Sequence, residues 1–350
     1  MSLAVLLSGG VDSSVALYRL AQEYSGKITA FYLKIWLEDE LAHLGDCPWE
    51  DDLKYARAVC HQLQVPLEVI PLQSEYWQLV VEETVSSLRK GHTPSPDILC
   101  NRRIKFGAFM DMHGSAFDAI ASGHYAQLLK SPEQVTLLKG ADPDKDQTYF
   151  LSHLHQDQVS KLIFPIGSLP KSEVRQWAIK ANLPNHSRPD SQGICFLGKI
   201  PFNEFVEFHL GTNPGPIREW QTGKKLGQHR GLWFHTIGQR KGLGLSGGPW
   251  FTVKKCLNEN TLYVSLQKIR NQDDQIRFQV DHIHWITKPK RFENLEVKIR
   301  HGRKTIPCTI SPETHGGFQI ILREPDLGIA PGQYAVFYDG EICHGSGLIT

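Results

Sequence analysis

The chain has 350 residues, with 38 lysines and arginines against 37 aspartates and glutamates, for a net charge of +1. At roughly 100–200 residues per domain, that length suggests two or three domains with ample core. The balanced charge excludes recognition of a polyanion by the field of the whole molecule, so a nucleic-acid partner has to be met by local basic patches. No apolar run approaches the ~20 residues that span a bilayer. Met1 to Val5 runs directly into strand-like sequence, with no room for a signal peptide. A soluble, cytoplasmic protein without a membrane partner is expected. The cysteines (47, 60, 100, 195, 256, 308 and 343) form an odd set with no CxxC pair. That argues against a disulfide framework or a zinc ribbon and leaves packing, metal or catalytic roles.

The first predicted strand, Leu3 to Leu7, leads into Ser8-Gly9-Gly10-Val11-Asp12-Ser13-Ser14 and then an apolar-periodic stretch, Val15 to Leu20. This order reads as strand, glycine-rich turn, helix. Two adjacent glycines let the backbone approach a ligand, and a helix start offers unpaired N–H groups at a positive dipole end. Ser8, Ser13 and Ser14 add hydroxyls at the same point. Such a pocket holds phosphate or pyrophosphate, although no Gly-Lys-Ser/Thr follows as in a Walker loop. The string resembles the PP-loop of ATP pyrophosphatases, which cleave ATP between the α and β phosphates and adenylate a substrate oxygen.

Further along, residues 28–36 read as a strand, 51–63 as a helix, 67–72 as a strand, 74–89 as a helix and 117–122 as a fourth strand. The alternation predicts an α/β, doubly wound parallel sheet, with its ligand at the strand C-termini. Within Thr93-Pro94-Ser95-Pro96-Asp97-Ile98-Leu99-Cys100-Asn101 the prolines stiffen the approach to a helix starting near Asp97. Asp97 and Cys100 then lie one turn apart on one face. A carboxylate beside a thiol at a helix start suits proton transfer and sulfur chemistry, the helix lowering the thiol pKa and Asp97 opposing it. The same pattern also fits a capping aspartate and a packed cysteine. A third segment, Asp190-Ser191-Gln192-Gly193-Ile194-Cys195-Phe196, sets a cysteine behind a glycine turn, and that cysteine too has a packing alternative. Cys47, Cys60, Cys256, Cys308 and Cys343 read as packing residues, Cys47 in a loop. After a helical stretch at 202–210, the Pro/Gly run 211–216 gives way to short β-type runs such as 250–253, 262–264 and 334–338. The expected organisation is a PP-loop domain over 1–200, a small central α/β domain over 201–272 and an antiparallel β-barrel over 273–350.

The combination of loop and two cysteines, with Ser95–Phe106, Ser122-Gly123-His124-Tyr125, Lys145–Leu151, Asp190–Phe196, Thr236–Gly244, Pro331-Gly332-Gln333 and Ala335–Tyr338, resembles the tRNA-specific 2-thiouridylases of bacteria. The resemblance runs over essentially the whole chain. It implies conversion of the wobble uridine in the tRNA anticodon loop to 2-thiouridine, consuming ATP with Mg²⁺ and needing no tightly bound organic cofactor. Leu6, Leu7, Ser8, Gly9, Gly10, Val11, Asp12, Ser13, Leu33 and Gly123 are the implied ATP contacts. Cys195 is implied to carry a persulfide delivered by a sulfur-relay protein or cysteine desulfurase, Cys100 to be the second catalytic cysteine, and Asp97 to face the base. Ser95, Pro96, Asp97, His124, Lys145, Asp146, Gln147, Arg300, His301 and Gln333 are implied to meet tRNA, as are the central and C-terminal domains. The family usually has Asn where Ser95 stands, often Met at Leu33 and often an aromatic at His301. Three clustered cysteines of an iron–sulfur site are missing, which leaves a cluster on Cys100, Cys195 and a carboxylate as a minority alternative. Basic patches at 102–105, 228–230, 239–241, 288–291 and 301–304 are candidate phosphate contacts. An amide-forming PP-loop ligase and a non-catalytic nucleotide- or RNA-binding protein are the competing readings.

Overall fold

A computed structural model describes residues 2–35, 49–190, 201–266, 275–293, 295–314 and 316–350. The chain opens with β1 (Ser2–Leu6), α1 (Val11–Glu23), β2 (Lys27–Lys34), α2 (Trp49–Leu63) and β3 (Leu67–Pro71). Two long helical segments follow, α3 over 73–89 and α4 over 96–113. Each contains wide π-helical turns, at Trp77–Val81 in α3 and Cys100–Ala108 in α4. Then come β4 (Ala119–Ser122), a hairpin of β5 (Ala126–Lys130) and β6 (Val135–Lys139), α5 (Thr148–Leu151), α6 (Gln156–Ser160), β7 (Leu162–Ile163) and α7 (Lys171–Lys180).

β1 is apolar and buried along nearly its whole length, as a strand covered on both faces has to be. The five-stranded sheet runs β3-β2-β1-β4-β7, with every pairing parallel. After β3, at one edge, the chain crosses to β4 on the other side of β1. Leu6 pairs with Ser122 at that reversal. This switch point is where an open α/β sheet leaves a crevice for a ligand. The doubly wound expectation holds, with small shifts: α1 starts at Val11, four residues early, and β4 starts at Ala119.

Beyond α8 (Phe202–Leu210), a four-stranded sheet ordered β10-β11-β8-β9 is formed by β8 (Gly215–Glu219), β9 (Lys225–His229), β10 (Phe251–Cys256) and β11 (Thr261–Ser265). The remaining strands are β12 (Arg277–Trp285), β13 (Glu296–Lys298), β14 (Ile306–Pro312), β15 (Phe318–Leu322), β16 (Tyr334–Asp339) and β17 (Ile342–Ile349). They pair antiparallel in the order β12-β15-β14-β13-β16-β17, and β12 closes on β17 into a six-stranded barrel. The barrel has its own core of Phe278, Val280, Val297, Ile306, Ile320 and Phe337.

The barrel is not an appendage. β6 pairs with β17, Leu138 opposite Ile342 and Leu137 opposite Cys343, so the hairpin from the first domain extends the barrel sheet. A buried ion pair, Asp146 to Lys298 at 2.8 Å, crosses the same junction. Nearby, His153 hydrogen-bonds Ser346 at 3.0 Å and lies 4.9 Å from the His284 ring and 5.1 Å from Tyr334. Burial, assisted by the Arg102 charge, pushes the His153 pKa down to about 2. Its folded pKa therefore lies below the unfolded one, and between them the unfolded chain binds more protons. Stability is expected to fall as pH drops through ~6.5. Urea midpoints measured from neutral to mildly acidic pH should show the decline, and His153→Gln should make it shallower. An unchanged slope in that variant would rule out His153 as a source.

Candidate active site at the loop after β1

Gly9 has φ of +75°, and a Cβ there would lie 2.2 Å from the Asp52 carbonyl oxygen of α2, so only glycine fits. Ser13 closes the loop from inside. Its hydroxyl accepts the Ser8 N–H at 3.2 Å, donates to the Gly10 carbonyl at 3.1 Å and meets the Ser8 hydroxyl at 3.1 Å. Gly10 is the N-cap of α1 and provides no side-chain cap. The first-turn amides thus lack a side-chain acceptor, the arrangement that receives an anion. Gly123 presses against the same turn: a Cβ there would sit 2.6 Å from the Ser13 nitrogen. Leu6, Leu7 and Val11 are buried supports, and Leu33, opposite Ile70, packs against the core. Residues 6–13 and Gly123 are therefore one structural unit at the switch point, whereas Leu33 sits one strand over, on β2 beside β3.

The segment from Lys171 to Asp190 grips this loop, and of its residues the sequence pattern singled out only Asp190. Asn185 donates to the Gly9 carbonyl at 2.8 Å and to the Ser14 hydroxyl at 2.9 Å. Arg188 donates to the Gly9 carbonyl at 3.1 Å and pairs with Asp52. Lys171 bridges Asp12 at 2.6 Å and Asp190 at 2.7 Å, and Tyr125 donates to Asp12 at 2.8 Å. Asp190 also receives Lys145 at 2.7 Å and Arg175 at 2.5 Å. Burial opposes ionisation of Asp190, but the hydrogen bonds and charges of Lys145 and Lys171 win and hold its carboxyl well below the usual carboxylate range. Lys171 and Arg175 reach the loop because α7 packs beside α1.

Pro96 is the first residue of α4, with Ser95 as its N-cap, so Asp97 occupies the first turn and is not the cap. Cys100, one turn on, is 1% exposed and begins the π-helical stretch. The Ser122 hydroxyl hydrogen-bonds His124 at 2.9 Å, and the His124 ring lies 5.8 Å from Phe106 of α4 and 6.0 Å from Phe164. Burial, then the Lys105 charge, holds the His124 pKa well below its ordinary value, so this ring is neutral at physiological pH. His124 thereby joins the end of β4 to the helix that carries Asp97 and Cys100. Cys195 and residues 191–200, like Cys47, lie outside the described residues. Cys60, Cys308 and Cys343 are packing cysteines, their thiols pushed by burial up to about 11, 12 and 12.

The remaining predicted residues line the junction with the barrel. Gln147 caps the 123–125 loop, accepting the Tyr125 N–H at 3.0 Å. The Asp146 carboxylate is engaged inside the protein by Lys298, Thr148 and the Gly140 N–H. His301 stacks on Phe150 with ring centroids 4.6 Å apart, and Arg300 pairs with Asp326 through both nitrogens, at 2.6 and 2.9 Å. Gln333 follows Gly332 in a barrel loop that meets the approach to α4, where Thr93 donates to the Pro331 carbonyl at 2.7 Å. No helix among the described residues is long and apolar enough to cross a membrane.

This geometry defines a HUP-type α/β domain followed by two β modules. The model for the tRNA methyl transferase HUP domain matches residues 1–199, that for the tRNA methyl transferase PRC-barrel domain 203–266, and that for the aminomethyltransferase β-barrel domain 275–349. Full-length similarity is sharper. The chain is 47% identical to the tRNA-specific 2-thiouridylase MnmA 1 of Bacteroides thetaiotaomicron, covering 100% of each chain. It is 45% identical to the tRNA-specific 2-thiouridylase MnmA of Porphyromonas gingivalis, covering 100% of this chain and 99% of the relative. The protein belongs to the tRNA-specific 2-thiouridylase family. Among solved structures, the U34-tRNA thiolase NcsA of Methanococcus maripaludis, with its 4Fe-4S cluster, matches 60% of this chain and 62% of its own at 18% identity and a TM-score of 0.37.

Proposed function

We propose that the protein is a tRNA-uridine 2-sulfurtransferase that adenylates O2 of the wobble uridine and replaces that oxygen with sulfur. The observation that carries this reading is the meeting of two features at one end of the sheet, the uncapped glycine loop and, through His124 and Phe106, the α4 turn with Asp97 and Cys100. The carbonyl oxygen of uridine is a poor leaving group, and transfer of AMP makes it a good one. O2 attacks the α-phosphorus of ATP while Asp97 takes the N3 proton. Pyrophosphate departs into the amides of residues 9–13 with Lys171 beside them, and Mg²⁺ brought with the nucleotide neutralises charge there.

The terminal sulfur of a Cys195 persulfide then attacks C2. Cys100 attacks the Cys195 sulfur, the transferred sulfur leaves with the base, and AMP departs. The Cys100–Cys195 disulfide that results is reduced by an external dithiol. Sulfur reaches Cys195 from a relay protein or a cysteine desulfurase. The anticodon loop is held by Ser95, Pro96, His124, Lys145, Gln147, Arg300, His301 and Gln333, with Asp146 pinning its segment from inside. The catalytic part comprises roughly residues 1–200, with 201–272 and 273–350 as RNA-contacting modules, all in the cytoplasm.

The test is incubation with ATP, Mg²⁺, a persulfide donor and unmodified tRNA, followed by digestion and mass spectrometry for 2-thiouridine. AMP without 2-thiouridine would reject the sulfur step, and the absence of both would favour a binding protein. Gly9→Ala should reduce AMP formation by at least roughly 100-fold, because the Cβ displaces the loop from α2. A variant of near-normal rate would detach the loop from nucleotide chemistry.

A further inference from the structure

A side chain from outside, Gln158 of α6, reaches into the π-helical stretch that begins at Cys100. The Gln158 amide nitrogen donates to the Arg102 carbonyl at 3.0 Å and to the Phe106 carbonyl. Its amide oxygen accepts the His155 N–H at 2.8 Å. Gln158 is buried, so none of these bonds is exchanged cheaply for water. A second observation points to the same carbonyl. At Gly107 a Cβ would lie 2.7 Å from the Arg102 oxygen, so that oxygen leans into space that only glycine leaves open. Gln158 grips it from one side and Gly107 accommodates it from the other.

The consequence falls on Cys100. Phe106 and Phe109, both fully buried, anchor the C-terminal part of α4 in the core. A helix advances about 100° per residue, so the one-residue excess of a wide turn re-phases everything before it by about that angle. Relaxing 100–108 to an α-helical register would swing Asp97 and Cys100 away from the direction they now face, with Phe106 and Phe109 left in place.

We propose that Gln158 is a positioning residue for Cys100, fixing the wide-turn register of α4 and so the direction from which the thiol enters the reaction. The proposal rests on the sulfur-transfer reading for its functional half only. Its neighbour on the same helix supplies a matched control. Gln156 ties α6 to the Val135 N–H at 2.8 Å, the Val135 carbonyl at 2.9 Å and the Ile286 carbonyl at 2.9 Å, touching the hairpin and barrel but not α4.

The experiment compares Gln158→Leu with Gln156→Leu in the full-length protein. It follows iodoacetamide alkylation of Cys100 across a pH series by peptide mass spectrometry, alongside Tm and thiolation kinetics. Both variants should lower Tm. Only Gln158→Leu should change the Cys100 alkylation rate, by roughly fivefold or more, and move its pH profile. Thiolation kcat should fall by roughly tenfold or more in Gln158→Leu, with the KM for tRNA nearly unchanged. An unaltered Cys100 profile in Gln158→Leu, or an equal change in Gln156→Leu, would overturn the proposal. A shifted profile with unchanged turnover would uphold the positioning and instead remove Cys100 from the reaction. Should Gln158→Leu not fold, Gly107→Ala disturbs the same carbonyl from within. Alanine ordinarily favours a helix over glycine, so a displaced Cys100 profile there would bear the signature of the held oxygen, and an unchanged one would count against it.

Discussion

Replacing Cys100 with serine is expected to lower 2-thiouridine formation by at least roughly 1000-fold, while ATP- and tRNA-dependent AMP release continues. The split follows from where the groups lie. The loop at 8–13 is supported by Ser13, Asn185, Arg188 and the Lys171–Asp12 pair, bonds made between groups other than the Cys100 thiol. A serine hydroxyl occupies nearly the same volume inside α4, so the adenylating apparatus keeps its shape. Cys195→Ser should give the same separation. Asp97→Ala should do the reverse and impair AMP release, because it removes the proposed proton acceptor. The measurement is paired quantification of AMP and 2-thiouridine in one reaction mixture. Normal thiolation by either cysteine variant would reject the two-cysteine scheme, and unchanged AMP release in Asp97→Ala would reduce Asp97 to a helix-terminal carboxylate.

Lys298→Met is expected to destabilise the protein by about 3–5 kcal/mol, the cost of leaving one partner of a buried ion pair without its counter-charge. Both side chains are 3% exposed, so solvent cannot take over the solvation of Asp146. Lys298 also lies 4.9 Å from the centre of the Tyr338 ring, whose hydroxyl is 3.2 Å from that of Thr148. The substitution therefore strikes where strand β13 meets the first domain. Urea denaturation should show it as a lowered midpoint, and the Asp146→Asn/Lys298→Met double variant should recover part of the loss by removing the stranded charge. The exposed Arg303–Asp144 pair is the control, since charges in open solvent contribute little. A loss in Lys298→Met no larger than in Arg303→Met would mean that the barrel docks without help from the buried pair.

The candidate site was partly legible in the chain itself. Ser8–Ser14 follows a run of apolar residues and opens a helix, and a phosphate-type loop needs only those local features. The stretch from Ser95 to Cys100 likewise carried its proline start and its i, i+3 spacing in plain order. The cations beside the loop were not legible. Lys171, Arg175 and Arg188, with the neutral Asn185 among them, lie more than 150 residues downstream in an ordinary amphipathic helix and turn, and no period or spacing connects them to Gly9. The hairpin at 126–139 was missed for a related reason. Its alternation is weak, because adjacent leucines, Leu128-Leu129 and Leu137-Leu138, break the two-residue period in strands of five residues, and the pairing of β6 with β17 is long-range.

Local chemistry thus settled what the sequence by itself determined: a parallel α/β domain, a glycine loop at a strand end, a β-rich C-terminal third and a cysteine one turn from a carboxylate. Each depends on residues within a few positions of one another, where periodicity and turn preference act directly. Only the tertiary structure decided how those parts are held. It brought Lys171 and Asn185 to the loop, sealed the barrel to the first domain through Asp146 and Lys298, and braced the wide turns after Cys100 with Gln158. Those contacts are long-range hydrogen bonds and charge pairs made inside a low-dielectric interior. Their strength comes from burial, which no stretch of sequence encodes alone.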